Sequence, residues 1–196
     1  MSVWDQYADT WDGDPTTRAY AAAAFASLQP VLADHGLALD GSRVCDFGCG
    51  TGLLTEHMVS SGAVVDAVDT SVAMLEVLRA KLERHAWRDV RVATDLFGEE
   101  SYDLITCSSV CVFLDDYAAT VERLVGLLKP GGLFVQWDWE RDSSSDDPHG
   151  LTRDEIRGAL AAGGLAAIQV ATGFDVSVDG QNMRPLMGHG QRPTPG

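Results

Sequence analysis

Glycines at 48, 50 and 52 punctuate the run VCDFGCGTG, Val44 to Gly52, just after a short apolar stretch that contains Asp46. Glycine has no Cβ and tolerates positive φ, so such a turn lets backbone approach a ligand closely. The segment LLTEHMV that follows has the composition of a helix, whose free N–H groups would point into the turn. The chemistry suggested is the holding of a nucleotide-type cofactor. Asp69 lies 21 residues beyond Gly48 and closes a second apolar stretch, AVVDAVD. A carboxylate at that place accepts both hydroxyl protons of a ribose, and its charge opposes a 2′-phosphate, which disfavours NADP. The third glycine comes one residue earlier than in the dinucleotide fingerprint, with Leu53 at the position that fingerprint needs, which also weighs against NAD.

The elements that must carry these residues alternate. Strands are expected at Arg43 to Phe47, at AVVDAVD ending on Asp69, at VRVAT ending before Asp95, at YDLITCSS ending near Ser108, and at LFVQWDW. Helices are expected from about Thr16 to His35, from Leu53 to Ser61, from a Ser71 cap to His85, and from Asp115 or Asp116 to a stop at Lys129-Pro130-Gly131-Gly132. A capping box at Thr152 and Glu155 opens a last helix that ends at Gly163 and Gly164. After it, LAAIQVATGFDVSV, an Asp179-Gly180 turn and a strand from Met183 to Gly190 read as an antiparallel hairpin. Strands alternating with helices imply a parallel sheet covered on both faces. The expected fold class is therefore α/β, a Rossmann-like, doubly wound, mostly parallel sheet of seven strands with a C-terminal antiparallel hairpin. Ligands of such sheets bind beyond the carboxyl ends of the strands, where Gly48 to Gly52, Asp69, Asp95, Ser108 and Asp138 would gather.

The 196 residues suit one domain. Within it, 1–36 hold N-terminal helices, 43–139 the cofactor-binding core, 140–150 a polar segment read as a mobile loop, and 151–191 the last helix and hairpin. A formal charge of −15 repels a phosphate backbone, so nucleic acid is not an expected partner. No apolar run approaches the roughly 18 residues that suggest a membrane span, and MSVWDQYADTWD is not a leader, so a cytoplasmic protein without a membrane partner is expected. Cys45, Cys49, Cys107 and Cys111 form two pairs at equal spacing, but neither gap matches common zinc sites and two of the four fall inside apolar strands. No metal is expected.

VCDFGCGTGLL followed by VDAVDTSVAMLEVLRAK resembles the first two motifs of class I S-adenosylmethionine-dependent methyltransferases. VATDLF, YDLITCSSVCVFLDD and LLKPGGLFVQWDW resemble the later motifs in order, and PLMGHGQRP the last strand of the small-molecule members. The likeness runs from about Val3 to Pro193. It implies S-adenosylmethionine as cofactor and S-adenosylhomocysteine as product. It assigns Gly48, Cys49, Gly50 and Gly52 to the methionine part, with Asp46 shaping the turn. Asp69 would hold the ribose, Asp95 would accept from the adenine amino group with Leu96 donating from its backbone, Thr70 and Met74 would border the ring, and Ser108 would line the path to the methyl group. A leading helix in this family folds over the cofactor, which brings in Trp4, Tyr7 and Trp11 and makes residues 1–20 a candidate lid.

The acceptor is less legible. His35, His57, His85, His149 and His189 are scattered, and His149, His189, Tyr7, Tyr20 and Asp138 are equal candidates for a general base. SSVCVF stands where base-methylating enzymes carry an Asn or Asp before two prolines, and no sizeable insertion follows the fifth strand, so a small organic acceptor is expected. Oxygen, nitrogen and carbon all stay open as the methylated atom. A non-catalytic module that binds the same cofactor, or an NAD-dependent oxidoreductase, is the alternative.

Overall fold

The computed structural model describes residues 2–97, 102–141 and 150–195. A single turn of 3-10 helix at Asp5–Tyr7 leads into α1 (Ala8–Trp11) and α2 (Pro15–Asp34). The core follows as β1 (Arg43–Phe47), α3 (Leu53–Ser60), β2 (Val64–Val68), α4 (Val72–His85), β3 (Val90–Ala93), β4 (Tyr102–Ser108), α5 (Tyr117–Gly126) and β5 (Leu128–Asp138). The chain closes with α6 (Arg153–Ala162), β6 (Ala166–Thr172), β7 (Val176–Val178), β8 (Gln181–Met183) and β9 (Leu186–Gln191).

Seven strands form one sheet in the order β3-β2-β1-β4-β5-β9-β6, in which only β9 runs against its neighbours. Strand order reverses between β1 and β4, which pair in parallel from Val44↔Leu104 to Phe47↔Cys107. This is the crevice where doubly wound sheets bind ligands. The period of two along each strand divides the core. Val44, Leu104, Leu133, Val135 and Trp137 pack toward Leu28, Leu32 and Met58 of α2 and α3. Cys45, Ile105, Cys107 and Phe134 pack toward Val121, Leu124, Ile156 and Leu160 of α5 and α6.

Several ends form for the expected reasons. Asp14 caps α2 by accepting from Thr16 N–H at 2.8 Å, with Pro15 at the first helical position. Ser71 caps α4, Asp116 caps α5, and the Thr152/Glu155 capping box opens α6. Two boundaries differ from the sequence reading. Helix α5 stops at Gly126, and Lys129 to Gly132 belong to the irregular start of β5, where the pairing register shifts opposite Tyr102 and Leu104. The expected C-terminal hairpin is two structures. β6 and β9 pair with each other in the main sheet, while the Asp179-Gly180 turn, both residues at positive φ, closes a separate ribbon of β7 and β8. Because this ribbon joins the end of β6 to the start of β9, it stands over the carboxyl ends of the parallel strands. The expected loop and His149 fall largely on 142–149, outside the described residues. Among the described residues no helix is long and apolar enough to cross a membrane.

The β2 and β3 side is held by one buried carboxylate. Asp66 is fully buried and accepts from Tyr102 Oη at 2.8 Å, from Arg43 at 3.3 Å and from the Arg91 guanidinium through both oxygens. Its pKa is lowered: these partners outweigh the burial that alone would raise it. Asp66→Ala leaves the buried Tyr102 hydroxyl and two cations without their acceptor. Urea unfolding is expected to show a loss of about 3 kcal/mol, with the ligand cavity intact.

Candidate functional site

The glycine turn hangs from the end of β2 by backbone. Gly48 and Cys49 N–H both donate to Val68 O, at 2.7 and 3.0 Å. Gly50 N–H donates to Asp69 Oδ2 and Ser71 N–H to Asp69 Oδ1, each at 2.8 Å. Asp69 thereby ties the turn to the start of α4. Burial pushes its pKa up, opposed by those two N–H groups and assisted by the charge of Asp5. Gly48, Gly50 and Gly52 all lie at positive φ, and a Cβ on Gly48 would stand 2.5 Å from Val110. Close approach, together with φ, demands glycine there.

Asp46 is buried behind the turn and accepts from Thr55 Oγ1 at 2.6 Å and Thr106 Oγ1 at 3.0 Å. Burial lifts its pKa to about 6 despite these hydroxyls. Asp138, at the end of β5, is lifted by burial to about 7, while Val112 N–H, Cys111 and Gln136 Nε2 hold it down.

Above the turn lies a cavity of about 640 Å³. Of the residues expected at a site, Asp46, Gly48, Cys49, Gly50, Asp69, Met74, Ser108 and Trp11 line it. Gly52 stands just behind as the residue before α3. Thr70 is exposed and does not line the cavity. Asp95 and Leu96 do not line it either: β3 ends at Ala93, and the exposed Asp95 carboxylate accepts from Leu96 N–H and pairs with Arg123 at 3.3 Å. Tyr7 is likewise outside, 46% exposed, although its ring lies 6.1 Å from that of Trp4.

Polar latches hold that leading segment over the turn. Asp12 accepts from Thr51 of the turn and from Lys81 of α4, whose ammonium also meets Glu56 at 2.6 Å. Ser71 Oγ donates to Asp5 at 2.6 Å, and Trp4 packs edge-on against Phe113 at 4.9 Å. The leading segment and the glycine turn are thus joined through Thr51 and Ser71.

Sequence reasoning missed most of the remaining lining. Thr16, Thr17 and Ala21 of α2 carry no motif, Ser109, Phe113 and Trp139 lie in quoted motifs but were given no role, and Gln181 to Met183 were hidden in the hairpin reading. Ser109 adopts φ 54 and donates its N–H to Trp137 O at 2.7 Å, a strained conformation at the cavity wall. Tyr20, an aromatic in an alanine-rich helix and a candidate base, was the available signal. None of the four described histidines lines the cavity: His57 stacks on Phe25, His85 on Trp87, and His35 meets the buried His189. Among the described residues no three His, Cys, Asp or Glu side chains gather as a metal site.

Residues 45–134, which hold the turn, Asp69 and the switch between β1 and β4, match the family model of a methyltransferase domain. Over these residues the chain is similar to methyltransferase domains. A ubiquinone biosynthesis O-methyltransferase of Xanthomonas campestris is 38% identical across 130 residues, 62% of this chain and 52% of its own length. The chain thus matches about half the length of that relative. An S-adenosylmethionine-dependent methyltransferase from Clostridium acetobutylicum shares the fold over 98% of this chain and 100% of its own, with a TM-score of 0.72 and 16% identity. Magnesium protoporphyrin IX methyltransferase from Synechocystis, with bound S-adenosylmethionine, covers 87% of this chain and 80% of its own, with a TM-score of 0.65 and 22% identity.

Asp46 and Asp138 both have a folded pKa above the usual value near 4. Such groups bind more protons folded than unfolded, so their contribution to stability is full below about pH 4 and is lost as pH rises through about 6 to 7. Asp138→Asn cannot ionise. Its unfolding midpoint is expected to gain on that of the unaltered protein between pH 5 and 8.5, and a difference independent of pH contradicts the assignment.

Proposed function

We propose that this chain transfers the methyl group of S-adenosylmethionine to a hydroxyl of a small organic molecule. The observation that carries the reading is the glycine turn, pinned by Asp69 and opening on a cavity large enough for a cofactor and a second molecule. The hydroxyl is suggested by the O-methyltransferase relatives. The residues present fit the cofactor. Gly48, Cys49 and Gly50 form a cradle with no side chain in the way on Gly48 or Gly50, and each Asp69 oxygen accepts one N–H and keeps capacity for a ribose hydroxyl. Met74 and Leu53 supply apolar walls, and Ser108 stands at the end of β4 beside them.

S-adenosylmethionine, when bound, supplies a methyl group already activated by its sulfonium. The protein's task is then alignment: the turn fixes one reactant, and the wall around Ser108 and Tyr20 fixes the other. Trp4 and Trp11, latched through Asp12 and Asp5, keep water from the reacting groups. We further propose that the chain works as one unit in the cytoplasm, with no nucleic acid or membrane partner.

The direct test incubates the protein with S-adenosylmethionine labelled in its methyl group and an extract of small metabolites. Label is expected in an organic product carrying a methyl ether, with S-adenosylhomocysteine formed in equal amount. Cofactor binding without any transfer would favour a non-catalytic binding module instead.

A further inference from the structure

The glycine turn and Asp69 make one side of the cavity. The other side lies beyond the ends of β4 and β5 and is built from α2, Trp139 and the β7–β8 ribbon. Tyr20 is its centre. The ring meets Trp139 at 5.6 Å and Phe174 at 5.0 Å, and the residue is 8% exposed. Its hydroxyl is buried and makes no well-formed hydrogen bond, with Ser108 and Ser109 close by, and the residue lines the cavity. Burial, foremost, and the charge of Asp138 push its pKa up, against the influence of Ser109 and Ser108, so it stays a protonated donor at neutral pH. A buried hydroxyl without a partner carries its full desolvation penalty, and a phenol facing a cavity in that condition is a donor without its acceptor.

The charges around it are one-sided. Among the described lining residues there is no Lys, Arg or His, and the only carboxyls are Asp46 and Asp69. Both belong to the cofactor side and are engaged by Thr55, Thr106, Gly50 and Ser71. An anionic ligand would meet no cation, and a cationic one would meet no free carboxylate beside Tyr20. Gln181, Asn182 and Met183 complete this wall with neutral side chains. Aromatic faces, neutral amides and one unpartnered phenol suit a flat ring that bears no charge.

We propose that Tyr20, Trp139 and the β7–β8 ribbon form the acceptor subsite, and that it selects an uncharged aromatic molecule whose oxygen accepts the Tyr20 hydroxyl proton. This rests on the methyl-transfer reading above. The ribbon residues set the charge preference, and Tyr20 sets the orientation.

Three phenols of similar size whose para substituents differ in charge test the subsite: 4-hydroxybenzyl alcohol, 4-hydroxybenzoate and 4-hydroxybenzylamine. Each is titrated by calorimetry into the full chain already saturated with S-adenosylhomocysteine. If S-adenosylhomocysteine itself does not bind, the methyl-transfer reading fails, and the proposal with it. With it bound, the neutral phenol is expected to bind at least about tenfold more tightly than either charged one. Tyr20→Phe is expected to lose about five- to tenfold in affinity for the neutral phenol. The same variant should keep its affinity for S-adenosylhomocysteine and unfold at an equal or higher temperature, since it removes an unpartnered buried hydroxyl. A purely structural Tyr20 would leave phenol affinity unmoved. Asn182→Arg, on the exposed ribbon, is expected to raise the affinity for 4-hydroxybenzoate above that for the neutral phenol. Equal binding of the three phenols, binding of none, or a Tyr20→Phe variant that binds the neutral phenol as well as the unaltered chain overturns the proposal.

Discussion

One carboxylate at the end of β2 joins the parts on which the site depends. Asp69 takes the Gly50 N–H on one oxygen and the Ser71 N–H on the other, so the glycine turn after β1 and the start of α4 after β2 are set by a single side chain. Val68 O adds two more backbone bonds to Gly48 and Cys49. The turn itself has little else to hold it, because its glycines contribute no side-chain packing and sit at positive φ. Its shape is imposed from the neighbouring strand, as the parallel pairing of β1 with β2 allows.

From that junction the polar contacts spread outward. Ser71 both caps α4, accepting from Met74 N–H at 3.2 Å, and reaches Asp5 of the leading segment. Thr51, inside the turn, reaches Asp12, which also meets Lys81. The leading segment is therefore fastened to the glycine turn. Lys81 is buried, which is tolerable only because Asp12 and Glu56 both face it. A chain of net charge −15 has carboxylates to spare, and here two of them serve to seat the leading segment.

Local chemistry was legible where a residue acts on its own neighbours. The caps at Ser71, Asp116 and Thr152 and the Asp179-Gly180 turn were readable because each depends on a few consecutive residues. The turn and Asp69 were readable because spacing along the chain translates directly into spacing between adjacent parallel strands. What lay hidden depends on long-range placement. Lys129 to Gly132 have the residues that end helices, yet α5 ends earlier and pairing with β4 draws them into β5. Tyr7 neighbours Trp4 in space as Trp11 does, yet only the two tryptophans line the cavity. The acceptor wall is the extreme case: Tyr20, Trp139 and Gln181 to Met183 come from three distant segments and share no local pattern.

The central claim is that the turn pinned by Asp69 holds S-adenosylmethionine. Calorimetric titration of S-adenosylmethionine into the full chain and into Asp69→Ala, with folding checked by circular dichroism, tests it most directly. Saturable binding to the unaltered chain is expected, weakened roughly tenfold to a hundredfold in the variant, as befits loss of hydrogen bonds to a charged group. Absence of binding to the unaltered chain, or equal affinity in the two, contradicts it.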